Sequence, residues 1–281
     1  AEDVDLIPRG SFTELLQKLR GHPEHAQPAL KGLWETMNTG GFSQVLMQDL
    51  KRFNGGLFKE ADALPLNTLQ LGLLIDAAEA DWKQVEPAIF GTLLERALDK
   101  RQRHKLGAHY TPRAYVQRLV TPTIIEPLRE DWRDVQTAVQ RLTEDGKTDD
   151  ALKLVRDFHH QLCETTVLDP ACGSGNFLYV ALEMMKRLEG EVTSLMIELG
   201  DTRPLITVDP HQFLGIELNP WAANVAELVL WIGYLQWHYR TYGTAAPSEP
   251  VLRDFKNIKN ADAVLEWSDR SPRLDELGAP V

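Results

Sequence analysis

The stretch TVLDPACGSGNFLYVALEMM, residues 166–185, contains the pattern that decides the fold. Val167 and Leu168 form a short apolar run that is typical of a strand, and a turn with two glycines follows. From Phe177 onward, apolar residues recur with the 3.6-residue period of a helix, which we expect to end at Gly200. The stretch therefore predicts a strand, a tight turn and a long helix.

Two more segments continue this alternation. The run QFLGIEL, residues 212–218, predicts a buried strand, and Asn219-Pro220 then begins a helix that we expect to reach about Tyr242. The segment NIKNADAVLEW, residues 257–267, predicts a short strand that leads into a loop. Strands that alternate with helices pair in parallel. The predicted fold is α/β, with a doubly wound, mostly parallel sheet.

The residues before this sheet show helical spacing and little strand pattern. We expect residues 1–100 to form an all-helical lead-in region that acts as a structural spacer. The second domain, residues 101–281, begins with helices, and Pro122 is expected to kink or end the first of them. Residues 128–162 predict a charged helical hairpin.

Composition narrows the classes of function. The net charge of −11 is unfavourable for a chain that binds nucleic acid by itself, because that affinity comes from Lys and Arg on phosphates. The two cysteines, Cys163 and Cys172, have no disulfide-framework or metal-ligand spacing, so we expect a reducing compartment and no metal site. No signal-peptide or membrane-spanning pattern occurs, and we expect a cytoplasmic protein.

The candidate site lies where the first two strands end. Asp169 ends the first strand, and Gly173 and Gly175 remove side chains so that a ligand can approach the backbone beside a helix N-terminus. Glu217 ends the second strand, where an acidic residue can accept hydrogen bonds from both ribose hydroxyls of an adenosine. In an open α/β sheet, ligands bind at this carboxyl edge.

Two cofactor classes are candidates for this site. A nicotinamide dinucleotide site has three glycines and an acidic residue about 20 positions beyond them. Here the turn is GSGNF, and Glu217 lies much further along the chain. Asp169 would repel a pyrophosphate but attract the ammonium or sulfonium charge of S-adenosyl-L-methionine, so the pattern favours a methyl donor.

Four motifs carry a family resemblance. VLDPACGSGNFL resembles motif I of the gamma-type N6-adenine DNA methyltransferases, and LGAHYTP upstream is similar to motif X. GIELNPWAANVAELVLWIGYLQW resembles motif II with its helix, and NADAVLEW resembles motif III. The lead-in EPAIFGTLLERALDKRQRHKLGAHYTP is similar to MmeI-like fused restriction–modification enzymes, in which a helical spacer precedes a class I methyltransferase domain. The resemblance covers residues 30–267.

The resemblance implies a set of cofactor-binding residues that follow the motifs in chain order. Tyr110 and Thr111 are implied at the methionine carboxylate, and Asp169 with the amides around Ala171, Gly173 and Gly175 at the methionine part. Asn176 and Phe177 line the turn. Glu217 binds the ribose, Leu218 lies against the adenine ring, and Ala261 lies beside Asp262, which accepts from the adenine amino group. The implied cofactor is S-adenosyl-L-methionine.

The sequence departs from the family at the catalytic motif. That motif is Asn/Asp-Pro-Pro followed by an aromatic residue, and it does not occur in this chain. Asn219-Pro220-Trp221 looks similar, but it begins the motif II helix and is rejected as catalytic. We therefore expect an incomplete sheet that stops before the catalytic strand, no catalytic residue here, and no methylation by this chain alone.

The predicted function follows from these motifs. The chain is expected to be the cofactor-binding portion of a site-specific adenine-N6 DNA methyltransferase from a restriction–modification or related phage-defence system. Double-stranded DNA would be the partner of the intact protein. Two alternatives stay open: a methyltransferase acting on RNA, protein or a small amine, and a non-catalytic adaptor with a degenerate cofactor fold.

Overall fold

The structure is a computed structural model of the 281-residue chain. The residues that it describes are 7–50, 52, 58–80, 85–87, 89, 91, 93, 111–201, 206–242 and 256–266.

Residues 7–80, as far as they are described, contain three α-helices, one short 3-10 helix (Pro23–His25) and a small hairpin. The α-helices and strands are α1 (Ser11–Leu19), α2 (Ala26–Thr39), β1 (Gly41–Ser43), β2 (Gln48–Leu50) and α3 (Thr68–Glu79). The strands β1 and β2 pair in antiparallel fashion. The described part of residues 1–100 is mainly helical, but the prediction of an all-helical lead-in omitted the hairpin, because three-residue strands are too short to show an alternating pattern.

Local sequence explains the start of α3, and packing holds the helices together. Asn67 accepts a hydrogen bond from the Gln70 amide, and the Gln70 side chain accepts from the Asn67 amide, which is a capping box. The buried leucines Leu16, Leu30 and Leu71 then join α1, α2 and α3 in one apolar cluster.

Four helical segments lie within residues 111–164, before the parallel sheet. They are α4 (Arg113–Val120), a π-helical segment (Thr121–Ile125), α5 (Glu126–Glu144) and α6 (Thr148–Glu164). The last two form the predicted hairpin. Pro122 ends α4 as expected, yet the chain stays helical through the π segment, which accommodates a residue without an amide hydrogen.

The sheet module then alternates strands and helices. Its elements are β3 (Val167–Asp169), α7 (Asn176–Glu198), β4 (Phe213–Glu217), α8 (Pro220–Tyr242) and β5 (Ile258–Asn260). The strand order is β3-β4-β5, and both pairings are parallel. The predicted α/β fold with a small parallel sheet is confirmed, and the strand and helix bounds agree with the expected ones to within a few residues.

One apolar core runs through α4 to α8 and the sheet. Phe213 on β4 is fully buried in it, and the rings of Trp132 and Phe158 stack with centroids 5.1 Å apart where α5 meets α6. Gly200 ends α7 with a positive φ of 91°, and the Asp201 amide donates to the Met196 carbonyl in the pattern of a Schellman motif. Among the described helices, none is both long enough and apolar enough to span a bilayer.

Candidate functional site

The parallel pairing brings the ends of the three strands to one edge of the sheet. In the ladder Asp169 is paired with Gly215, and Glu217, two residues further along β4, is paired with Asn260. Asp169, Glu217 and Asn260 therefore end their strands at the same edge. The structure thus brings together the two acidic residues that the sequence placed at strand ends.

Glu217 ties the glycine turn to the start of α8. Its Oε2 atom accepts a hydrogen bond from the Gly173 amide at 2.9 Å, and its Oε1 atom accepts from the Asn219 amide at 2.8 Å. A carboxylate has about four acceptor positions, so these two bonds leave capacity for further donors such as hydroxyl groups. The orientation of this carboxylate is therefore set before any ligand binds.

The two glycines of the turn have different surroundings. Gly173 has a φ of 54°, and a Cβ atom built on it meets nothing within 4 Å. Gly175 has a φ of 79°, and a Cβ atom there would lie 3.0 Å from the Cα atom of Ala226 on α8. Gly173 therefore leaves open space beside the turn, whereas Gly175 permits the close approach of α8 to the turn.

The turn amides assigned to the methionine part already donate within the protein. Ala171 donates to Asp169 Oδ1 at 3.0 Å, Gly173 donates to Glu217, and Gly175 donates to the Cys172 carbonyl at 2.8 Å. These bonds hold the turn in shape. A ligand at this turn would therefore meet acceptor atoms, chiefly carboxylate and carbonyl oxygens, more than free amides.

The electrostatic character of the site is negative. Burial raises the pKa of Asp169, the Ala171 amide partly offsets this, and the nearby Glu217 raises the pKa further. Burial, assisted by Asp169 and Glu217, raises the pKa of the Cys172 thiol to about 12. Both shifts arise partly because a further negative charge is unfavourable beside a carboxylate that is already present: Glu217 for Asp169, and both carboxylates for Cys172. The site therefore favours a cation.

The third strand end adds a polar bridge that the sequence analysis missed. The Asn260 side-chain amide donates to the carbonyls of Glu217 at 2.8 Å and Leu218 at 3.0 Å, and the Ala261 amide donates to the Glu217 carbonyl at 3.1 Å. Leu218 is 59% exposed beside this bridge. No local signal marks Asn260, because its partners lie 42 and 43 residues away.

Asp262 lies just after β5 and shapes the loop that follows. Its Oδ1 atom accepts hydrogen bonds from the amides of Val264 at 2.9 Å and Leu265 at 3.0 Å. This is the side-chain-to-backbone turn that aspartate commonly forms. The side chain is half-buried.

The upstream motif contacts the glycine turn through Asn176. Its Nδ2 atom donates to the Thr111 carbonyl at 2.7 Å, and the side chain is buried. Tyr110, the neighbouring residue in the predicted set, lies outside the described residues. Thr111 is thus brought to the turn through its backbone.

A groove of about 640 Å³ lies along β3, between that strand and the helices before it. Asp169, Ala171 and the half-buried Phe177 line it at the carboxyl end of the strand. Leu119 and Leu168 are among its apolar residues, and both are more than half exposed. Within the described residues, β3 is paired on one side only.

In the part of the chain that the structure describes, two groups of possible metal ligands occur away from the strand ends. Their members are His22, Glu24 and His25 in the lead-in region, and His159, Cys163 and Glu189 in the core. The second group lies beside the Lys186 ammonium, which occupies the position of a counter-ion to Glu189. The expectation that the chain has no metal site stays a prediction.

Two family models match the chain in the order spacer, then methyltransferase. Residues 1–58 match the model described as the helicase spacer domain of MmeI. Residues 142–277 match the model described as its DNA-methyltransferase domain, and this segment contains all three strands of the parallel sheet.

Individual relatives extend the similarity over almost the whole chain. DNA methyltransferase A of Bacillus subtilis is 27% identical over 283 residues, which is 97% of this chain and 31% of the relative. The solved structure of the type IIL restriction–modification enzyme MmeI in complex with DNA matches with a TM-score of 0.77 and 26% identity. That match covers 94% of this chain and 35% of the MmeI chain, so this chain spans about a third of the length of these relatives.

Proposed function

Because this chain contains the methyltransferase region of an MmeI-like restriction–modification enzyme, we propose that the carboxyl edge of its sheet binds S-adenosyl-L-methionine for the methylation of DNA. The observation that carries the proposal is the arrangement of Glu217. Its carboxylate is held by the amides of Gly173 and Asn219 at the edge where the turn leaves open space. Such a fixed acceptor suits a pair of ribose hydroxyls.

The chemistry of the turn supports a cationic ligand. Burial is the main cause of the raised pKa of the Cys172 thiol, and Asp169 and Glu217 add to it, so these two carboxylates make the site unfavourable for added negative charge. The ammonium and sulfonium groups of the donor would therefore be attracted here, and a pyrophosphate would be repelled. When bound, the donor supplies an activated methyl group.

We assign the remaining roles residue by residue. Asp169 and the carbonyl oxygens of the turn accept from the ammonium group, and Leu218 offers an exposed apolar surface to the adenine ring. Asp262, beside Ala261, accepts from the adenine amino group. Thr111 and Tyr110 serve the carboxylate end, and Asn176 and Phe177 shape the wall of the turn.

The target of the intact protein is proposed to be the exocyclic N6 atom of adenine in double-stranded DNA. A stacked base hides this nitrogen, so the adenine must be flipped out of the duplex. This chain has no Asn-Pro-Pro-aromatic motif, which in the family accepts the amino hydrogens and stacks on the base. We therefore propose that the chain binds the donor but does not methylate DNA alone.

Calorimetry with S-adenosyl-L-methionine and its demethylated product tests the binding site. The chain should bind one ligand, and Glu217→Ala and Asp169→Ala should each weaken binding about tenfold or more, since a hydrogen bond to a charged group contributes about 1.5–3 kcal/mol. Asp157→Ala, at an exposed position on α6, is the control and should bind as the unaltered chain does. Equal affinity in all four proteins would refute the assignment.

Methyl transfer is tested with tritiated donor and mixed duplex DNA at low salt. We expect no incorporation by this chain, and incorporation into adenine by a longer version of the protein that contains the missing motif. Incorporation by this chain alone would show that the catalytic groups lie within it. Incorporation into cytosine by the longer protein would contradict the proposed target.

A further inference from the structure

Part of the lead-in region packs directly on the sheet module. The Gln236 side chain on α8 donates to the Val85 carbonyl at 2.8 Å. Arg113 on α4 donates to Glu86 at 2.9 Å and also pairs with Glu183 on α7. Pro87 and Gly91 are buried. Val85 is therefore bonded to α8 of the sheet module, and Glu86 is linked to α7 through Arg113 on α4.

Gly91 lies against the Ser174 side chain, whose Oγ atom can rotate away but whose Cβ atom is held in place by the backbone of the turn. A Cβ atom built on Gly91 would lie 2.1 Å from Ser174 Oγ and 3.0 Å from Ser174 Cβ. The φ of Gly91 is not positive, so backbone conformation does not demand glycine here. The close approach to Ser174 is the physical reason for this glycine.

Ser174 belongs to the glycine turn of the proposed donor site. It separates Gly173, whose amide holds the Glu217 carboxylate, from Gly175, which is wedged against Ala226. The turn cannot shift toward α8, because Gly175 already lies against the backbone of that helix at Ala226. A displacement of Ser174 would therefore be transmitted to Gly173 and to Glu217.

We propose that the described residues of the lead-in region at positions 85–87, 89 and 91 form a positioning segment for the methyl-donor site, with Gly91 acting through Ser174 on the glycine turn. This inference rests on the proposed function, because it adds a second part of the chain to the same site. It makes the lead-in region a component of donor binding, in addition to its role as a spacer. A shift of about 1 Å at a binding group can change affinity or rate strongly.

The test is a double-variant cycle on the full chain, with calorimetry using S-adenosyl-L-methionine and a thermal melt of each protein. Gly91→Ala should weaken donor binding about tenfold. Gly72→Ala, on α3, is the matched control, because a Cβ atom built there meets nothing within 4 Å. Its donor affinity should stay within about twofold of that of the unaltered chain. In a Ser174→Gly background, adding Gly91→Ala should change affinity less than about twofold, because the obstructing side chain is absent.

The outcomes separate the inference from the proposed function. If the unaltered chain binds no donor, both are overturned. If it binds donor and Gly91→Ala binds equally well, only the positioning segment is overturned. Equal weakening by Gly91→Ala in both backgrounds also overturns it, since the effect would not pass through Ser174.

A purely structural role for Gly91 makes a different prediction. In that case Gly91→Ala would lower the melting temperature without changing the affinity of the folded protein for the donor, and this result would overturn the inference. If Gly91→Ala alone does not fold, the Ser174→Gly, Gly91→Ala double variant must fold and bind as Ser174→Gly does. A double variant that also fails to fold or bind would overturn it as well.

Discussion

Gly173 and Gly175 stand two positions apart in the turn, but different contacts require them. Both have a positive φ, which favours glycine at each position. Only Gly175 approaches another backbone, that of Ala226, whereas Gly173 faces open space. A substitution at Gly175 therefore tests the packing of α8, and a substitution at Gly173 is the cleaner probe of ligand access.

We predict that Gly175→Ala lowers the free energy of unfolding by about 2–3 kcal/mol, because it combines an unfavourable φ with overpacking against Ala226. Gly190→Ala is the matched control, since Gly190 is exposed within α7 and a Cβ atom there meets nothing within 4 Å. It should raise stability by about 0.5–1 kcal/mol. Urea unfolding of both variants measures the difference, and equal stabilities would contradict the packing role.

The surroundings of Asp169 destabilise its ionised form. Its pKa in the folded state is raised, chiefly by burial, with Glu217 adding to the shift. The folded protein therefore holds this proton to a higher pH than the unfolded chain does. Stability is lost as the pH rises from the unfolded pKa, about 4, through the folded pKa, and the full cost is present above that range.

Asp169→Asn should remove this cost and the attraction for the donor together. We predict a variant that is more stable than the unaltered chain at neutral pH, that loses this advantage below about pH 4, and that binds the donor at least about tenfold more weakly. Urea unfolding across the pH range, with calorimetry at neutral pH, measures both effects. A stability difference that does not vary with pH would contradict the role of ionisation.

The helix α7 connects the candidate site to a buried ionic cluster. Its first residue, Asn176, reaches Thr111, while Lys186 and Glu189 pair inside the core three turns later. Lys186 Nζ donates to the Val208 carbonyl at 2.7 Å, and Glu189 accepts from the Val208 amide at 2.8 Å. These two hydrogen bonds connect Val208, in the segment before β4, to α7.

Burial makes this cluster sensitive to the loss of one partner. Desolvation lowers the pKa of Lys186, and Glu189 opposes that shift. The ammonium also lies 3.6 Å from the centroid of the Trp237 ring on α8, so α8 joins the cluster too. Removing either Lys186 or Glu189 would leave the other buried charge without its ion-pair partner.

We predict that Lys186→Met destabilises the protein by about 3–5 kcal/mol, because it leaves Glu189 buried without its counter-ion. Lys153→Met, on the exposed face of α6, should change stability by less than about 0.5 kcal/mol. Adding Glu189→Gln to Lys186→Met should recover part of the loss. A double variant less stable than Lys186→Met would show that the uncompensated charge is not the cause.

Arg113 joins the lead-in region to the sheet module. It lies between Glu86 and Glu183, and its side chain is 27% exposed beside a Glu183 that is 15% exposed. The two carboxylates raise the pKa of the guanidinium above its ordinary value, against the opposing effect of burial. A partly buried pair of this kind is screened by water less than a surface pair is.

We predict that Arg113→Gln lowers the free energy of unfolding by about 1–3 kcal/mol, since two carboxylates lose their common donor. Arg129→Gln is the matched control, because its pair with Glu191 is exposed by 43% and 46%, and it should cost less than about 1 kcal/mol. Denaturant unfolding at low and high salt measures both changes. Similar losses in the two variants would contradict the anchoring role of Arg113.

The sequence alone determined the features that depend on local pattern. The strand, turn and helix around residues 166–185 were predicted because apolar periodicity and glycine positions act over a few residues. The acidic residues Asp169 and Glu217 were located at strand ends for the same reason, and the motifs around them identified the family. The hairpin formed by residues 41–50 was missed, since its two strands are too short to show a period.

Only the tertiary structure decided what these residues touch. The bond from Gly173 to Glu217 joins positions 44 residues apart, and the contact of Gly91 with Ser174 joins the lead-in region to the turn. It also separated the role of Gly175, which is packing against Ala226, from that of Gly173. Local preference contains no information about such pairs, because they arise when parallel strands align and helices pack across the chain.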